Sequence, residues 1–136
     1  MGGELVLVGQ KTEGLPALVE AERLTVKAAG VGFDWQNAEQ VIDKLHEELD
    51  ELAEAREQAA PVAIEDELGD LLFVVVNLAR YLKVDPEQAL RKTNAKFRRR
   101  FGYVEKNATL PGATLEEMEA LWQEAKVALA GAPEER

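Results

Sequence analysis

Two acid pairs on either side of a helix break constrain this chain more than any other feature. They lie in KLHEELDELAEAREQAAPVAIEDELGDLLFVVVNLAR, residues 44–80. Glu48 and Glu51 sit on the first helical segment, Glu67 and Asp70 on the second. Residues three apart on a helix are neighbours on one face. The second pair leads into Leu71-Leu72-Phe73-Val74-Val75-Val76, apolar on every side, the pattern of a buried helix. A carboxylate entering a buried helix needs a partner, because an uncompensated buried charge costs several kcal/mol or more. Lys44, Arg56 and Arg80 are nearby in sequence but do not clearly supply one. Four acids brought together would protonate or repel unless a cation sat among them. Oxygen-only ligands suit a hard cation, Mg²⁺ or Mn²⁺. Two plainer accounts stand beside this one. In a chain with 26 acidic residues, helical acid pairs are usually solvated faces. Glu67 and Asp70 also suit the positive end of a helix macrodipole.

The 136 residues suffice for one domain with a real core. With 46% apolar and 31% charged residues, a globular soluble chain is expected. No run of 18 apolar residues marks a membrane span, and no secretory leader is legible. The absence of cysteine excludes disulfides, thiolate zinc sites and a cysteine nucleophile, and makes the cytoplasm the expected home. A single histidine, His46, cannot build a multi-histidine site. A net charge of −10 argues against general nucleic-acid binding, yet a metal and a local basic cluster can still hold a small anion.

The chain reads as all-α, about five helices with short connections that suggest antiparallel neighbours. Residues 1–14 are an N-terminal arm whose ELVLV run is a loose arm or a short strand. Helix one is expected from Leu15 or Pro16 to about Ala29, stopped by Gly30 and Gly32. Phe33 and Trp35 flank Asp34, a candidate cap for helix two, and serve packing or recognition. Helix two, about Gln36 to Gln58, carries the stripe Val41, Ile42, Leu45, Leu49 and Leu52, which Glu48 borders. Helix three, about Ala63 to Leu82, holds Gly69, which suggests close approach of another backbone. Asn77 lies seven residues after Asp70 on the same stripe, as a satisfied core amide or a ligand contact.

Asp85 and Pro86 start helix four, which runs to about Asn107 and is expected to bury Leu90, Phe97, Phe101 and Val104. Its Lys92, Lys96 and Arg99 share one face, for salt bridging or for phosphate. Thr114 to Glu117 is a capping box opening helix five, which runs to about Ala130. There Trp122 and Lys126 stand one turn apart, as core and surface or as contacts to a base and a phosphate. Residues 131–136 are a tail. A di-iron carboxylate bundle needs Glu-x-x-His on two helices, which this chain lacks. Attack of a metal-activated water on a phosphoryl group fits better.

Glu47-Glu48-Leu49-Asp50-Glu51 followed by Glu67-Leu68-Gly69-Asp70 reads as E-E-x-x-E then E-x-x-D. With VGFDW, ELGDLLFVVVNLAR, KTNAKFRRRF and WQEAK in this order, residues 15–130 resemble the C-terminal domain of the MazG family of nucleoside triphosphate pyrophosphohydrolases. The resemblance implies an all-α helical bundle completed by a homodimer or higher homo-oligomer. It implies Mg²⁺-dependent cleavage of NTPs or dNTPs between the α and β phosphates, giving monophosphate and pyrophosphate. It implies Glu48, Glu51, Glu67 and Asp70 as metal ligands, with Glu47 orienting a ligand or water. Lys92, Lys96, Arg99, Trp122 and Lys126 fall in segments like the family's nucleotide-contacting part, and Asn77 joins them as a candidate contact. Full MazG proteins often carry two tandem domains, and this chain matches one. Related all-α enzymes act on dUTP, dCTP or phosphoribosyl-ATP, and a non-catalytic helical dimer that binds nucleotide or protein is the remaining alternative.

Overall fold

The computed structural model describes residues 14–131, so the ELVLV run and residues 132–136 lie outside the described residues. Five helices and no strand are found among these: α1 (Ala17–Ala29), α2 (Ala38–Glu57), α3 (Pro61–Tyr81), α4 (Pro86–Asn107) and α5 (Leu115–Ala128). The all-α expectation holds. No described helix is long and apolar enough to cross a membrane. The chain divides into two compact units, one ending at Glu87 and one beginning at Gln88.

In the first unit α3 packs against both α2 and α1. The α2–α3 turn is short because Ala59 takes the left-handed conformation (φ 52°) that lets a helix end, and Pro61 opens α3 at a position where its missing N–H costs nothing. The pairing is legible in the acids. Glu51 lies six residues before the end of α2 and Glu67 six after the start of α3, while Glu48 and Asp70 are each nine away. An antiparallel pair therefore brings the two acid pairs level with each other.

The core is smaller than the stripes implied. Val41, Ala55, Val74 and Val76 are buried, but Leu68, Leu72, Phe73 and Val75 are 41–53% exposed. The expectation that α3 is buried all round fails, because one neighbour on each of two sides covers only part of a helix surface. Ile42 and Leu49 of α2 are also exposed. Gly69 has nothing within 4 Å of an added Cβ among the described residues, so it admits no close backbone there.

The α1–α2 loop is fastened to the end of α3. Arg80 Nη1 and Nη2 donate to the Asp34 carboxylate at 3.1 and 2.6 Å, and Nη2 also donates to Asn77 Oδ1 at 2.7 Å. The Tyr81 hydroxyl donates to the Trp35 carbonyl. Asp34 is thus not the cap of α2. Asn37 is, its side chain accepting from the Gln40 N–H at 2.9 Å.

In the second unit the cap chemistry follows the sequence. Asp85 Oδ1 accepts from the Glu87 N–H at 3.0 Å just ahead of it, and Thr114 and Glu117 form the full capping box. Phe97 sits 5.5 Å from Trp122, linking α4 to α5, and the Tyr103 hydroxyl donates to Glu124 at 2.9 Å. Val104 and Ala95 are buried and Phe101 half-buried, whereas Leu90 and Phe97 are 47% and 57% exposed, contrary to expectation. The stripe of α4 is wider than the face α5 covers.

The hydrogen bonds from Arg80 hold the Asp34 carboxyl down to about 2, from an ordinary 3.8. A depressed acid contributes stability that is complete above the unfolded value and lost as pH falls through the folded one. Chemical denaturation of wild type and Asp34→Asn at stepped pH should show their stability difference constant above about pH 5 and shrinking between about pH 4 and 2. A difference that does not change with pH would mean the pair is not formed in solution.

Candidate metal centre

The site is built where the two acid pairs meet. One carboxylate oxygen each from Glu48, Glu67 and Asp70 lies within 4.8 Å of the others. Glu48 is 4% exposed, Glu67 half-buried and Asp70 exposed, so the cluster has a closed side and an open side. Glu51 stands beside Glu67 and adds to the crowding of its carboxyl. Burial is the largest cause, then the neighbouring Glu51 carboxyl and the charges of Glu48 and Asp70; together they raise Glu67 from 4.5 to about 7. Asp70 is raised too, by burial and by the charges of Asp66 and Glu48.

Lys44, set aside on sequence grounds, does supply a partner. Its Nζ donates to Glu47 at 2.9 Å and lies 3.3 Å from Glu48 Oε1. Those two contacts hold the ammonium up to about 12. The signal was present, since Lys44 is four residues before Glu48 and so on the same helix face. One ammonium serves one side of the cluster only. Glu48 Oε2 and Glu67 Oε2 are buried and have no hydrogen-bond partner among the described residues. Native proteins leave few such atoms, because each costs the desolvation of the group. Hard, oxygen-only ligands with unpaired buried lone pairs fit a divalent cation of the Mg²⁺ or Mn²⁺ kind.

The other candidates are placed as follows. Glu47 is exposed beside Lys44. Asn77 is half-buried, and its carbonyl oxygen is taken by Arg80. Lys92, Lys96, Arg99, Trp122 and Lys126 belong to the second unit. There Lys92, Lys96 and Lys126 are exposed. Arg99 is half-buried, with Nε and Nη1 buried and unpartnered among the described residues, which suits an anion better than it suits salt bridging. Trp122 is half-buried against Phe97, with the Arg100 guanidinium 5.8 Å from its ring centre. Asp34 and Arg80 were missed as a pair because 46 residues separate them.

Residues 36–104 match the MazG nucleotide pyrophosphohydrolase domain. The chain is 46% identical over 119 residues to a nucleoside triphosphate pyrophosphohydrolase of Escherichia coli strain K12, covering 82% of this chain and 45% of that protein. It is 44% identical over 124 residues to the nucleoside triphosphate pyrophosphohydrolase/pyrophosphatase MazG of Thermotoga maritima, covering 88% and 48%. It is 52% identical over 65 residues to the uncharacterized Bacillus subtilis protein YabN, covering 44% and 13%. The chain spans about half the length of the first two relatives.

A carboxyl whose folded pKa is raised binds its proton more tightly in the fold, so it stabilises below the unfolded value and loses that contribution as pH climbs through the folded one. In chelator, the stability of wild type relative to Glu67→Gln should fall between about pH 4.5 and 7. A flat difference across that window would show that Glu67 is not crowded by the other acids.

Proposed function

We propose, on the premise that this chain belongs to the MazG nucleotide pyrophosphohydrolase family, that it hydrolyses NTPs or dNTPs between the α and β phosphates to monophosphate and pyrophosphate. The observation that carries this reading is the meeting of Glu48, Glu67 and Asp70, two of which hold a buried oxygen without a partner among the described residues. These three and Glu51 would hold Mg²⁺, with Mn²⁺ as the close substitute. The chemistry such an ion supplies is neutralisation of charge on phosphate oxygens and a lowered pKa for the attacking water.

The chain's own residues do the rest. Lys44 holds one oxygen of Glu48, and the other is buried without a partner among the described residues. Glu67, raised to about 7, must lose its proton before it can act as a ligand, so the site is best prepared above about pH 7. Glu47, tied by Lys44, has the supporting role of orienting a ligand or water. Lys92, Lys96, Arg99 and Lys126 are proposed as phosphate contacts and Trp122 as a base contact, on the chemistry of their side chains alone.

We further propose residues 15–130 as the working domain, a cytoplasmic setting, and a homodimer or higher homo-oligomer. The exposed Leu68, Leu72 and Val75 of α3 favour a second copy, which would cover them. A one-chain mass in light scattering at micromolar concentration would contradict the oligomer.

The activity is tested by incubating purified protein with an NTP and dNTP panel and Mg²⁺, then resolving products by ion exchange. Monophosphate and pyrophosphate are expected, and none with EDTA. Glu48→Gln and Asp70→Asn should each lower kcat on the order of 100-fold or more, as loss of a charge-stabilising group does, with unchanged helical circular dichroism. Diphosphate and phosphate as products would overturn the cleavage position, and full activity in either variant would overturn the ligand set.

A further inference from the structure

α3 carries a single side-chain amide, Asn77, seven residues after Asp70. Seven residues make nearly two turns, so Asn77 lies on the face of Asp70, about 10 Å further along the axis. An asparagine amide can meet a neighbour in two ways. Turning it over exchanges an acceptor oxygen for a donating NH₂ with little change of shape. The group beside it decides which way it stands.

That group is Arg80. Its Nη2 donates to Asn77 Oδ1 at 2.7 Å and to Asp34 Oδ1 at 2.6 Å, while Nη1 donates to Asp34 Oδ2 at 3.1 Å. Both hydrogens of Nη2 are thereby used. Turning the amide over would set NH₂ against guanidinium, donor against donor, and would strip one Nη2 hydrogen of its acceptor. A guanidinium cannot shed a proton to relieve such a clash. Asn77 is therefore fixed with its oxygen on Arg80, and its NH₂ is the group it can offer.

Fastening the loop does not require this bond. The α1–α2 loop is already held twice, by the forked Arg80–Asp34 contact and by the Tyr81 hydroxyl on the Trp35 carbonyl. Asn77 belongs to the same helix as Arg80, three residues before it. A contact inside one helical turn joins no two elements, so what it sets is the direction of one amide. Asp34 in turn holds the guanidinium, so the amide is oriented before any ligand arrives, which is preorganisation.

We propose that Arg80 is a positioning residue for the reaction: by holding Asn77 Oδ1 it commits Asn77 to act as a donor to the nucleotide, so affinity for the nucleotide depends on Arg80 through Asn77. The assignment rests on the nucleotide reading above and on Asn77 as a contact, and it adds a residue that need not touch the substrate.

The test is a double-mutant cycle read in nucleotide affinity. Arg80→Lys keeps a cation opposite Asp34, but an ammonium lacks the planar fork that serves Asp34 and Asn77 together. It should raise KM for nucleoside triphosphates about tenfold, the cost of one misplaced hydrogen bond. kcat should change much less, and Mn²⁺ affinity measured by calorimetry should stay at the wild-type value. In an Asn77→Ala background the same Arg80→Lys change should move KM by less than about twofold, the scatter of independent changes. Equal shifts in both backgrounds would overturn the proposal, because Arg80 would then act through the loop and not through Asn77. Asn77→Asp needs no change at Arg80. It keeps an oxygen for Arg80 and removes the NH₂, so KM should rise as in Asn77→Ala with no fall in Tm. A wild-type KM in Asn77→Asp would overturn the proposal even where Arg80→Lys fails to fold. The same cycle can be read as Kd for a triphosphate with a methylene between its α and β phosphorus atoms. If wild type cleaves no nucleotide at all, the pyrophosphohydrolase reading falls, and the cycle in Kd still decides the role of Arg80.

Discussion

The first unit depends on one constraint: carboxylates from two antiparallel helices converge at one level and cannot all be ionised without a cation. The pairing of α2 with α3 fixes this, since acids at equal distances from a short turn must face each other. The fold meets the crowding in part by two local devices. Lys44 neutralises the Glu48 and Glu47 side, and crowding and burial raise the Glu67 carboxyl to about 7. Two buried oxygens remain without partners among the described residues. A site this costly in the ion-free chain is the arrangement expected where a cation, not packing, selects the residues.

A second network sets the geometry around that centre. Arg80 sits at the end of α3 and gathers the α1–α2 loop through Asp34, while also orienting Asn77. Because Asp70, Asn77 and Arg80 follow one another along α3, the acid cluster and the anchor of the α1–α2 loop share one helix. Functional groups held on one helix keep their spacing better than groups on separate loops. The same helix leaves Leu68, Leu72 and Val75 uncovered, so its role is not finished within one unit.

How much of this was legible beforehand follows the range of each interaction. Capping by Asp85 and by Thr114 with Glu117 is local, and both were readable. The acid spacing was readable for the same reason, and Glu48, Glu67 and Asp70 do come together. The Lys44–Glu48 pair is also local but was passed over, because a lysine among many acids reads as solvated charge. The Asp34–Arg80 pair was beyond reach: Asp34 before a helix looks like a cap, and only the packed structure shows that Asn37 has that role. Burial along α3 was overestimated because an all-round apolar sequence says that cover is needed, not that one chain provides it.

The central claim is that Glu48, Glu67 and Asp70 form a divalent-cation site. Calorimetric titration of chelator-stripped protein with Mn²⁺ at about pH 7.5, alongside Glu48→Gln and Asp70→Asn, tests it without reference to turnover. Saturable binding to wild type is expected, with a heat that differs between buffers of different ionisation heat because protons are released, and loss of that binding in both variants. Equal heats in wild type and both variants would mean that the acids only share faces of two helices and hold no ion.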